Sequence, residues 1–294
     1  MSEQGRPILL ANLRRRIETT TELPAMPMAA QALLRLNSNP NATTSDLVKI
    51  IELDPSISAQ IMRYAHSAFF GYKGEINSLK QAIATIMGFN LTIDIALGLS
   101  LGKTFNISRN GPLGLDQLWR HSVYSAVMIE RLIYLMPRKQ RPEPGLGFLS
   151  GLLHNFGVLL VGHLFKQETS LLMEIIRANP DTPVMELEQQ VMGTDHMEIG
   201  AWLIRSWNLR PEIEVAIAEH HNEDYQGIHA AYAKLTLIAD RLLKRHDIGD
   251  AESTHIPEHV FLSLGISEQQ GEEVLEQIMM AAMDLDMMAQ QFAA

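Results

Sequence analysis

The sequence predicts an all-α protein, a compact array of many helices. Helix-start signals recur along its length, apolar residues return at spacings of three and four, and strand-like alternation between hairpin turns is scarce. Residues 1–22 read as a helical lead-in whose densest basic cluster, Arg14 to Arg16, is a solvated face. Thr43 can cap a segment with Asp46 at its third position and Leu47, Ile50 and Ile51 on the apolar side. Asp54-Pro55 opens the next, with Asp as cap and Pro in the first turn, where its missing N–H costs nothing. Ser78 caps a helix over 79–87, Gly88 ends it, and Asn90 can cap the segment that follows.

The turn-rich stretch 106–114 is the best seam between two lobes. Beyond it a long helix is expected over 115–135, closed by Pro137, then a charged loop to Gly145. Further helices are expected over 147–154, 167–178, 184–192, 196–207, 211–221 and 228–245. The domain reading is a lead-in at 1–22, an N-terminal lobe at 23–107, a second lobe at 115–246 and a C-terminal helical extension at 247–294. The extension begins with a polar stretch, 247–257, and its methionine-rich run, 278–288, reads as a helix packed on the core rather than an adaptable partner surface.

Composition narrows the function. A net charge of -10 argues against nonspecific binding to nucleic acid or anionic lipid, which needs concentrated Lys and Arg. The absence of cysteine excludes disulfides, thiol nucleophiles and cysteine-based zinc sites, and fits a reducing cytoplasm. The N-terminus carries no signal-peptide pattern. Residues 146–165 have the length and apolarity of a membrane span, but they hold His154, Asn155, His163 and four glycines, so a buried core is expected. The serines Ser67, Ser122 and Ser150 lack a nucleophile-elbow context. The expectation is a soluble cytoplasmic protein with no nucleic-acid or membrane partner.

The candidate site is an ordered series of polar residues: His121, His154-Asn155, His196, His220-His221 and Asp240. Five of the eleven histidines stand in it. Imidazoles and carboxylates converging from different helices can hold divalent transition metals and activate water for phosphate-ester hydrolysis. His121, His154 and Asp240 could hold one ion, and His196, His220 and His221 a second. Adjacent helical residues diverge by about 100°, so His220 and His221 share a cavity only at a helix end or kink. Taken singly, each histidine reads as a core or surface residue; their order and context raise the series above that.

These residues and their surroundings resemble the HD superfamily of metal-dependent phosphohydrolases, and more closely the HDOD family of bacterial signalling output domains. Leu23-Pro24-Ala25-Met26-Pro27 is similar to the family's opening Leu-Pro-x-x-Pro. Residues 50–55 with Ser58-Ala59 resemble its Ile-x-x-Asp-Pro-x-x-Ser/Thr segment, residues 65–71 its Ala-Asn-Ser-Ala-x-Tyr/Phe-Gly motif, and residues 78–88 its Ser-to-Gly helix. Trp119-Arg120-His121-Ser122 and residues 147–157 (GFLSGLLHNFG) resemble its Trp-x-His-Ser and Ala-Gly-Leu-Leu-His-Asp-Ile-Gly stretches. The resemblance implies an HD-like helical array, with an N-terminal lobe packed on a degenerate HD lobe.

The departures fall on the chemistry. Asn155 stands where the active relatives place the bridging Asp, and an amide cannot supply a carboxylate's charge. Val158 stands where cyclic-di-GMP phosphodiesterases of the HD-GYP group carry Lys, and the Gly-Tyr-Pro signature is missing after His221. The resemblance therefore implies a regulatory or scaffold module in bacterial signal transduction, with a weak or lost site for Fe, Mn, Ni or Zn. Its partners would be signalling proteins in trans, a sensor kinase, a receiver or a cyclic-dinucleotide enzyme, with self-association left open. The alternative is a metal-dependent phosphohydrolase or nucleotide phosphodiesterase that uses the same seven residues.

Overall fold

The computed structural model describes residues 23–67, 70–143 and 145–293, and every regular element among them is helical. The lead-in expected over 1–22 and its arginine cluster lie outside the described residues. The first lobe runs through α1 (Met28–Asn37), α2 (Thr44–Glu52), α3 (Pro55–Ala65), the single turn α4 (Leu79–Gln81), a π-helical turn (Ala82–Met87) and α5 (Phe89–Gly102). Thr43 and Asp46 form the reciprocal capping box that their spacing implies. Asp54 accepts from the backbone N–H of Ser56 and of Ile57 ahead of Pro55. Helices α1, α2 and α3 pack around α5, which is buried on almost every side.

Two local expectations are corrected here. Ser78 caps its helix as expected, but the helix widens over Ala82–Met87, and Gly88 N–H donates at 2.8 Å to Ile83 O, five residues back. Gly88 then takes a φ of +78°, which a glycine tolerates, and itself stands at the N-cap of α5. Asn90 therefore lies inside the helix and is not its cap.

The second lobe contains α6 (Leu115–Leu135), α7 (Leu146–Leu153), α8 (Phe156–Leu164), α9 (Lys166–Ala178), α10 (Val184–Met192), α11 (His196–Ser206), α12 (Pro211–Glu219) and α13 (Ala230–Lys244). Helix α6 is the spine, packed against α7 and α13, while α8 lies on α11 and α11 on α12. Leu146–Leu164 is the one span among the described residues that by itself passes for a membrane-crossing helix by length and apolarity, and it is buried in the fold. It breaks into α7 and α8 at His154-Asn155.

The extension supplies α14 (Glu258–Leu264), α15 (Glu268–Met280) and α16 (Ala282–Phe292). Helix α16 joins the lobes: Phe292 stacks on Trp119 of α6 at 4.7 Å and on Tyr64 of α3 at 6.0 Å. Gln60 Nε2 also donates to Gln291 O at 3.0 Å. Leu285, Met288 and Phe292 are buried, whereas Met280, Met283 and Met287 face out. One continuous apolar core runs through both lobes and the extension.

Candidate metal centre

Each histidine of the series sits where a helix begins, ends or crosses another. His121 lies in the second turn of α6. His154 closes α7 and Asn155 opens α8, so both stand at the break between the two helices. His196 is the first residue of α11, behind its capping residue Asp195. His220 closes α12 and His221 follows it, which is the helix-end placement that two adjacent ligands require. Asp240 projects from α13 and is fully buried. Gly157 brings α8 against α11, since a Cβ there would sit 1.9 Å from His196 O.

The seven predicted residues meet in one cluster. The ring centroids of His121 and His154 are 4.6 Å apart, those of His154 and His220 5.2 Å, and those of His220 and His221 4.2 Å. His121 Nε2 lies 3.0 Å from Asp240 Oδ1, and His221 Nδ1 3.6 Å from Asp240 Oδ2. Asn155 Nδ2 reaches His121 Nδ1 at 3.1 Å.

Three of the imidazoles are held from behind. His154 Nδ1 is tied to Gly151 O at 2.7 Å, His220 Nδ1 to Ile217 O at 2.8 Å, and His196 Nδ1 to Glu188 Oε2 at 2.7 Å. Fixing Nδ1 as the donor aims the Nε2 lone pair into the cluster, the usual arrangement behind a metal ligand. Several inward atoms have no hydrogen-bond partner, Nε2 of His154 and His221 and Asn155 Oδ1, while the buried Asp240 oxygens meet only imidazole nitrogens, His121 Nε2 and His221 Nδ1. Buried polar atoms seldom go unmatched, and donors of this N and O type suit a divalent transition metal. The residues present therefore fit such an ion.

Electrostatics without a cation are lopsided. Burial, reinforced by His121, pushes His154 down to about 3. Burial and the neighbouring imidazoles of His221 and His154 drive His220 well below its usual range. Burial also works against charge on His196, but the Glu188 carboxylate outweighs it and holds the ring up to about 10. On His121 burial is likewise overcome, here by Asp240 and then Asp250, and its pKa rises.

Two participants were not among the predicted residues. Glu188, on α10, orients His196 and also accepts from its backbone N–H at 3.1 Å. Asp250 arrives from the polar stretch after α13 and enters the middle of the cluster. Asn155 Nδ2 donates to Asp250 Oδ1 at 3.2 Å. Asp250 Oδ1 lies 3.5 Å from His121 Nδ1, and Oδ2 3.6 Å from His196 Nε2. The ligand-type atoms fall into three groups, each within 4.8 Å: His196, His220 and His221; His121, His154 and Asp250; His221, Asp240 and Asp250. The grouping differs from the expected one, because Asp250, rather than Asp240, completes the set with His121 and His154.

A cleft of about 540 Å³ opens beside the cluster. His121, Asn155, Val158, Lys244 and residues 247–252 line it, whereas His154, His196, His220 and Asp240 lie sealed behind. The remaining histidines of the second half stand apart: His246, His255 and His259 are exposed, His229 stands at the N-cap of α13, and His163 Nδ1 accepts from the Asn106 N–H at 3.1 Å.

The model of the HDOD domain family matches residues 23–223. The chain belongs to the HDOD family. That match ends ahead of both Asp240 and Asp250. A curated relative, an uncharacterized protein of Treponema pallidum, is 25% identical over 242 residues, or 78% of this chain and 44% of its own length. The chain thus spans less than half of that relative. A solved structure of a candidate signal transduction protein from Marinobacter aquaeolei superposes with a TM-score of 0.85 at 28% identity, covering 100% of this chain and 69% of its own. A candidate metal-dependent phosphohydrolase from Shewanella amazonensis shares the HDOD chain's fold, with a TM-score of 0.65 at 20% identity over 95% of this chain and 99% of its own.

Proposed function

We propose that this HDOD protein is a bacterial signalling module whose second lobe holds a divalent transition metal in a closed centre, and that its output passes to protein partners without substrate turnover. The observation that carries the reading is the position of residues 247–250. They lie between the buried imidazoles and the cleft, with Asp250 turned inward. A hydrolytic centre keeps one coordination position open to water and substrate, whereas a closed ligand set is the mark of a structural ion. In this chain the cleft-facing side is taken by the Asp250 carboxylate. The sealed histidines and Asp240 would hold the ion, and Glu188, Gly151 O and Ile217 O would orient the rings. A sensor kinase, a receiver or a cyclic-dinucleotide enzyme in trans would be the partner.

One observation favours a second reading, a metal-dependent phosphohydrolase. Lys244 lines the same cleft as Asp250 and Val158, so the cleft carries a cation although position 158 lacks one. Bound metal would then supply the polarisation and the activated water. The experiment is elemental analysis of the purified protein for Fe, Mn, Ni and Zn, followed by assay against cyclic dinucleotides and generic phosphodiesters with metal added. Bound metal without turnover supports the signalling module. Turnover that disappears in His154→Ala supports the hydrolase, and no bound metal under any condition removes both.

A further inference from the structure

We propose that Asp250 is the bridging carboxylate of a two-cation centre and stands in for the acid missing at Asn155. This deepens the metal-holding reading and rests on it. One cation would lie towards His121 and His154 and the other towards His196, His220 and His221, with Asp240 behind both sets.

The two oxygens of Asp250 divide their contacts. Oδ1 lies 3.5 Å from His121 Nδ1, whose Nε2 is on Asp240, and Oδ2 lies 3.6 Å from His196 Nε2. Two ligands on one ion, each at about 2.1 Å and separated by a tetrahedral or wider angle, lie roughly 3.4–3.6 Å apart. Each oxygen therefore sits at the distance of a fellow ligand from a different histidine set. A carboxylate that only neutralised a single imidazolium would place its contacts on that ring.

The backbone is built to deliver it. Gly249 adopts a φ of +103°, and a Cβ there would sit 2.7 Å from both Asp240 Oδ1 and His121 Nε2. Only a residue without a side chain lets the loop come this deep. Lys244 Nζ donates to Gly249 O at 3.4 Å from the last turn of α13. Asn155 keeps a part in the centre, but as a donor that holds Asp250 Oδ1 at 3.2 Å. The acid has moved from the α7–α8 junction to the stretch after α13, and the amide left behind positions it.

The test is a charge swap read by metal binding. Wild type, Asp250→Asn, and the double variant Asn155→Asp/Asp250→Asn are titrated with Co²⁺ and with Mn²⁺ by calorimetry, and metal content is counted by elemental analysis. The swap keeps an amide and a carboxylate facing each other, so the local volume is unchanged. Asp250→Ala repeats the comparison with a smaller side chain, and far-ultraviolet circular dichroism checks the fold of each variant.

Wild type is expected to take up two ions per chain. Asp250→Asn should lose one or bind on the order of 100-fold more weakly, and the swap should recover most of the loss. Wild-type stoichiometry and affinity in Asp250→Asn and Asp250→Ala overturn the role of Asp250 and leave the metal-holding reading intact. A loss that the swap does not recover overturns the stand-in relationship, and a single ion in wild type overturns the bridge. No binding in wild type overturns this inference together with the reading beneath it.

Discussion

The Nε2 atoms of His196 and His220 face each other at 3.3 Å while the Nδ1 atoms of both rings are engaged elsewhere, on Glu188 and on Ile217 O. A tetrahedral ion with nitrogen ligands at about 2.0–2.1 Å separates them by roughly 3.3–3.4 Å, so the pair already has the span of one coordination edge. The rings keep that span because Glu188 and the Ile217 carbonyl fix their orientation. Glu188→Gln leaves an oxygen acceptor but removes the charge behind His196. Metal affinity should fall 10- to 100-fold, the range typical of outer-shell partners, with helix content unchanged. Competition against a chromophoric chelator measures it, and an unchanged affinity would show that Glu188 does not support the centre.

Gly157 sets how closely α8 approaches α11. A methyl group at 157 meets backbone, His196 O at 1.9 Å and Gly200 N at 2.9 Å, and backbone cannot rotate away. Gly157→Ala should destabilise the protein by about 1–3 kcal/mol, the usual cost of overpacking, and lower metal affinity by displacing His196. Urea unfolding gives the first effect and calorimetry the second. Wild-type values in both would contradict the tight crossing.

Asp94 on α5 offers a pH test away from the histidines. It is buried, with Oδ2 packed where a Cβ of Gly145 would be. Burial, then repulsion from Glu130 and Glu143, raises its pKa well above the usual range. A folded pKa above the unfolded value of about 3.9 means that the folded state holds the proton more tightly. This stabilising contribution is complete below the unfolded pKa and is lost as pH rises through the folded one. Asp94→Asn should therefore gain thermal stability over wild type as pH increases, with each kcal/mol worth roughly 2–4 °C. Melting curves from pH 4 to pH 8 test it, and a difference that does not vary with pH would falsify the assignment.

Phe292 carries the joint between the lobes. Removing its ring takes away the stack on Trp119 and on Tyr64 at once. Phe292→Ala should cost about 3–5 kcal/mol and increase solvent quenching of tryptophan fluorescence. A loss within about 0.5 kcal/mol, the scale of ordinary surface substitutions, would show that α16 is not a structural tie.

The fold was legible wherever local chemistry decides it. Thr43 with Asp46, Asp54 with Pro55, and the span Val184–Met192 follow caps and apolar spacing. The π-helical turn before Gly88 was not legible, because a five-residue hydrogen bond is chosen by packing rather than propensity. The histidines were legible through their order and motifs, and all seven named residues converge. Asp250 was not, since it lies among Asp247 and Glu252 in a stretch that reads as an ordinary solvated loop. Glu188 was hidden in the same way, inside a run with Glu186, Gln189 and Gln190 that looks like a helix's wet face. Only the tertiary approach of α10 to His196 separates it from its neighbours.

The loop that carries Asp250 also imposes an order of assembly. The five imidazoles are all in the chain by His221, but Asp240 and Asp250 come later, the second by 29 residues (250 minus 221). A growing chain that has emerged only as far as the histidines offers neutral nitrogen donors with neither of these carboxylates to balance a cation's charge. On the metal-holding proposal, retention of an ion would wait for the turn at Gly249 to seat, and loading would be a late event of folding, coupled to the stretch after α13 and not to the family match that ends at residue 223.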